Sequence, residues 1–247
     1  MKKVLMGLSA VALAVASVPL FAAFEAHVIN VTARIENALA VEPTDIRFGT
    51  VFPEEKLDKL VRVALSDSFR KEQNADDVNY IIRQKPKCAI TRADGTVADL
   101  DAGTATGHIT VGADGQIKID CGNPPRNLVA GETWGPLPLL CPYLSKHPTS
   151  SQDDPSTNDG SLDSFHQIGG ISTSTGQWVW NDVQGRLAKS EQDFFDTWDI
   201  DLKVPCFKGQ CAQDNVVPAD YQLNPLLEHK IFGCDLWVEV TGVSRVH

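Results

Sequence analysis

The chain has 247 residues, 43% of them hydrophobic and 7% aromatic, which is ample for one sizeable core. Its 32 acidic residues outnumber 22 basic ones, giving a formal net charge of −10. A surface of that sign repels phosphate backbones, which argues against nucleic acid as a partner.

The first stretch is MKKVLMGLSAVALAVASVPLFAA. Lys2 and Lys3 precede an uncharged run from Val4 to Ala23, and small residues at Ala22, Ala23 and Ala26 offer cleavage points. That is the layout of a signal peptide, predicted over residues 1–26. The run is also about long enough to be a retained anchor. Pro19 and the many Ala, Ser and Gly residues favour cleavage. The expectation is a secreted or cell-surface protein that meets a membrane only through an uncleaved leader.

Residues 27–247 read as a single β-sandwich domain. In HVINVTARI, Ile29, Val31, Ala33 and Ile35 point one way and Asn30, Thr32 and Arg34 the other, the period of a half-buried strand. LVRVALSDSF puts Val61, Val63 and Leu65 on one face, and VNYIIRQ does so with Val78, Tyr80 and Ile82. FRKEQNADD, between them, reads as a charged loop. Residues 88–195 read as a loop-rich insertion. Within it, GHITVGADGQIKID is a predicted hairpin turning at Asp114-Gly115, and WVW (Trp178–Trp180) is a predicted short strand. VQGRLAKSEQDFFD is a candidate helix. The polar run from His147 to Ser164 reads as an exposed loop. Alternation then returns. DTWDIDLKV sets Trp198, Ile200, Leu202 and Val204 against Asp199, Asp201 and Lys203, and FGCDLWVEVTGV sets Leu236, Val238 and Val240 against Asp235, Trp237 and Glu239. Strands at both ends around a loop-rich middle predict an all-β, jelly-roll-like antiparallel sandwich carrying an insertion.

Six cysteines follow the leader: Cys88, Cys121, Cys141, Cys206, Cys211 and Cys234. An even number in an exported chain reads as disulfides. The spacing in VPCFKGQC is neither a zinc knuckle nor a redox pair. Cys206 and Cys211 could close on each other, or one of them could reach Cys234. The second pairing is the expected one, because a longer loop restrains more of the unfolded chain.

The segment FAAFEAHVINVTARIENALAV resembles the start of camelysin/TasA-like exported proteins. The blocks IRFGTVFPEE…VALSDSF and DTWDIDLKVPCFKGQC…FGCDLWVEVTGV, with LCPYLSK, resemble a group of secreted proteins from uncultured bacterial lineages. The TasA-like resemblance implies an extracellular jelly roll whose N-terminal strand completes the sheet of the next subunit in a fibre. The camelysin resemblance implies a metallo-endopeptidase.

Peptidase chemistry needs metal ligands and a general base near bound water. The chain has no H-E-x-x-H, and its six histidines are scattered. Glu228-His229 is the one acid–histidine neighbour pair, so no catalytic or cofactor-binding residue is assigned. No G-x-S-x-G elbow and no phosphate-binding Gly-rich loop is present. Asp199 and Asp201 share a strand face and are candidate oxygen ligands for calcium, set against a plain solvated face. Trp178 and Trp180 share a face, which fits either sugar stacking or packing. The sequence therefore favours an exported structural protein that assembles with itself or with other surface proteins. Its assembly strand would carry Ile29, Val31, Ala33 and Ile35. A camelysin-type peptidase and a carbohydrate-binding module are the alternatives.

Overall fold

The computed structural model describes residues 34–148, 167–211, 217 and 219–245. The chain divides into two units, Met1–Ile35 and Glu36–His247, and the fold belongs to the second. It is an all-β, antiparallel sandwich. In chain order its strands are β1 (Leu39–Glu42), β2 (Lys56–Leu65), β3 (Ala75–Arg92), β4 (Thr104–Thr106), β5 (His108–Val111), β6 (Ile117–Asp120) and β7 (Glu132–Pro136). Then come β8 (Leu144–Pro148), β9 (Gly169–Ile171), β10 (Trp178–Trp180), β11 (Asp182–Ala188), β12 (Phe195–Lys203) and β13 (Cys234–Arg245).

One sheet runs β1-β2-β12-β8 and the other β11-β3-β13, with β4 and β7 pairing the far half of β3. The alternating positions meet between them. Val61, Val63 and Leu65 of β2, Val78, Tyr80 and Ile82 of β3, and Trp198, Ile200 and Leu202 of β12 form one buried cluster. Their burial is the main driving force for closing the sandwich. Two polar features cross this core. Trp198 Nε1 donates to Tyr80 Oη at 2.8 Å, and Tyr80 donates in turn to Asp196. Gln84 Nε2 donates to the Leu144 carbonyl at 3.0 Å, tying the two sheets together.

The hairpin expected in GHITVGADGQIKID is present: β5 pairs β6, and Gly115 takes φ 75°, which a side chain would resist. WVW is strand β10, paired with β9. The helix expected in VQGRLAKSEQDFFD is absent, and its first half is β11. Alternation decides this. Val183 and Leu187 face the core while Asp182, Gln184 and Arg186 face out. Gly185 is required on the inner side, where any Cβ would run into the Tyr80 ring. The charged loop after β2 instead holds the one described α-helix, α1 (Asp67–Lys71), because Ser66 caps it by accepting from the Phe69 N–H at 3.1 Å. The loop-rich middle also supplies β8 to one sheet and β11 to the other, so it is partly built into the sandwich.

Three disulfides form: Cys88–Cys121, Cys141–Cys234 and Cys206–Cys211. The expected link from Cys206 or Cys211 to Cys234 is therefore corrected. Cys206 and Cys211 close their own five-residue separation around Gly209, which sits at φ 85°. Cys141, in the 3-10 turn before β8, takes Cys234 across a separation of 93 residues. Tertiary placement outweighed the loop-length argument, since Cys234 begins β13 beside that turn. Three such bonds belong to an oxidising compartment. Among the described residues no helix is long and apolar enough to cross a membrane.

Candidate functional site

The second sheet ends on a long, open strand. β13 pairs β3 along one side, and among the described residues no strand pairs its other side. Its alternation is the one predicted, with a register shift between Val240 and Gly242. Val240 lies opposite Tyr80 and Val243 opposite Val78, both of which are buried. Yet Val240 is 40% exposed and Val243 50% exposed. Inner-facing valines left half in water mark a sandwich whose layer is incomplete at this edge. Such an edge presents free backbone N–H and C=O groups beside apolar side chains, the chemistry that an added strand satisfies.

Of the predicted assembly strand, Ile29, Val31 and Ala33 lie outside the described residues. Ile35 is described and is 94% exposed. The chain is anchored just beyond it, where the Asn37 carbonyl accepts from Ser66 Oγ at 2.6 Å.

No protein-family model, curated protein or solved structure matches this chain.

The acidic stretch before and within β12 is not a uniform solvated face. Asp196 faces the core, where burial raises its carboxyl above the usual aspartate range while the Tyr80 hydroxyl holds it. Asp199 and Asp201 share the opposite face, as the alternation required. Asp201 is only 2% exposed, and its Oδ2 accepts from Ser145 Oγ at 3.1 Å and pairs with His147 Nε2 at 2.7 Å. Both partners come from β8, which lies beside β12 in the ladder. Ser145 and His147 meet the same carboxylate oxygen, so this is not the relay in which a histidine bridges a serine and an aspartate. Among the described residues no group of three or more His, Cys, Asp or Glu side chains could hold a metal ion. His229 lies 3.8 Å from Glu228 and is almost fully exposed.

Trp178 and Trp180 do meet, edge to face, with ring centroids 5.9 Å apart. Trp198 is a core residue, and Trp134 is held by a bond from its indole N–H to the Gly122 carbonyl at 3.0 Å. The sequence did not reveal that Trp237, on the outer face of β13, joins the group containing Trp180. No spacing rule links residues 180 and 237.

Proposed function

We propose that this protein is a secreted structural component of the cell surface or extracellular matrix, and that it assembles by strand addition at β13. The observation that supports the reading is the open edge of β13 with its half-exposed inner valines. The occupant would be the segment 27–36 of a second copy, with Ile29, Val31, Ala33 and Ile35 covering Val238, Val240 and Val243. Ten residues of strand extend about 33 Å, a length comparable to that of β13. Backbone pairing would supply much of the affinity and the alternating side chains the register. Three disulfides keep the receiving sandwich closed while its edge stays available.

Deleting residues 27–36 is the test. The expected result is secreted protein that sediments as monomer and shows no fibres by negative stain, where the full-length secreted form polymerises. Fibres unchanged by the deletion would overturn the reading.

A further inference from the structure

On the outer face of the second sheet, Lys85 stands where a charge is not expected. It is 8% exposed. Its ammonium lies 3.4 Å from the ring centroid of Trp237 and 5.9 Å from that of Trp180. Among the described residues no carboxylate pairs with it. Its neighbours on the same strand are neutralised: Arg83 meets Asp182 at 3.1 Å and Glu239 at 3.5 Å, and Lys87 meets Asp235 at 2.6 Å. Burial, reinforced by Arg83 and partly offset by Glu239, holds the Lys85 ammonium below the ordinary lysine range.

Two more donors nearby are unspent. Arg83 Nε and Trp178 Nε1 are buried without a hydrogen-bond partner. The aromatic surface, by contrast, is fixed in place. Trp237 Nε1 donates to Thr106 Oγ1 at 3.1 Å, and Thr106 donates to Asp235 at 2.7 Å. Trp237 thus stays 40% exposed and oriented.

We propose that this face binds an acidic polysaccharide, one sugar ring packing on the part of Trp237 that Lys85 leaves exposed while the carboxylate of a neighbouring uronate along the chain meets the Lys85 ammonium. Ring stacking uses the exposed indole face. Sugar hydroxyls can donate to the part-exposed carboxylates of Asp182 and Glu239 beside the aromatic pair. The uronate carboxylate supplies the anion that Lys85 lacks. The site uses the face of β13 and not its edge, so it does not rest on strand addition.

The test is a tryptophan-fluorescence titration of the secreted protein with polygalacturonate, with neutral dextran and dextran sulfate as comparison polymers. Saturable binding to polygalacturonate is expected, with both comparison polymers weaker by about tenfold or more. Trp237→Ala and Lys85→Gln should each lose about tenfold or more, whereas Lys85→Arg retains binding and Lys118→Gln on β6 changes nothing. A near-UV dichroism spectrum establishes that each variant is folded. Three results would overturn the proposal: no saturation with polygalacturonate, dextran bound as tightly, or dextran sulfate bound as tightly with folded Trp237 and Lys85 variants unaffected.

Discussion

Two of the sandwich's edge strands contrast, β8 in one sheet and β13 in the other. On β8, Lys146 lies opposite the core residue Ile200 and donates to the Asn181 carbonyl at 3.2 Å. Burial pulls its ammonium down to about 8. A charge pointing inward at an edge makes addition of a further strand costly. On β13 the corresponding inward positions are Val238, Val240 and Val243, with no charge among them. Of these two edge strands, β8 carries an inward charge and β13 carries none.

The sharpest way to break this contrast is to move the β8 device onto β13. Val240→Lys should reduce assembly by about a hundredfold or more while leaving the monomer folded, because position 240 is already part-exposed and a lysine can reach water. Analytical ultracentrifugation over a concentration series reads the loss. Assembly as strong as in the parent would place the interface elsewhere.

The disulfides restrain different spans. Replacing Cys141 and Cys234 by Ala removes a bond across a separation of 93 residues, worth about 4.7 kcal/mol by chain entropy. Removing Cys206–Cys211, with a separation of five, should cost only about 2 kcal/mol. Denaturant midpoints of the two double variants measure the difference, and equal losses would contradict the loop argument.

Truncations on the paired strand and on the open strand should also separate. Ile200→Ala on β12, which lies between β2 and β8, should cost roughly 3 kcal/mol, and Val240→Ala on β13 about 1 kcal/mol or less. Equal costs would mean that β13 is covered in the monomer.

The effect at Lys146 is confined to alkaline pH. Its folded value of about 8 is below the usual lysine value of 10.5. Between those two values the unfolded chain keeps a proton that the folded chain has released, so stability rises with pH through that window. The slope is at most about 1.4 kcal/mol per pH unit. Lys146→Met should flatten that part of the thermal-midpoint profile, and a profile identical to the parent's would remove Lys146 from the account of the β8 edge.

Much of the architecture was legible because β-strand alternation is a local property. Val61, Val63 and Leu65, or Trp198, Ile200 and Leu202, declare their inner face without reference to any neighbour. β12 and β13 read almost alike by that rule, yet one is interior to its sheet and the other is an edge. Periodicity reports which face is buried and carries no information on how many neighbours a strand has. The helix misread over residues 183–196 has a related origin, since Gly185 interrupts the strand pattern until the Tyr80 ring is in place. The candidate sites were less legible. Trp178 and Trp180 were visible as a pair, but Lys85 and Trp237 come from strands far apart in the chain. Asp201 looked solvated until β8 brought Ser145 and His147 to it.

By itself, then, the sequence determined an all-β sandwich, the facing of its principal strands, the β5–β6 hairpin and a framework of paired cysteines, all of which follow from residue type and short-range spacing. The tertiary structure alone decided which cysteines pair, which edge stays open and which tryptophans gather around Lys85. Those outcomes depend on contacts between residues tens to more than a hundred positions apart, where chain geometry leaves many arrangements and only the packed core selects one.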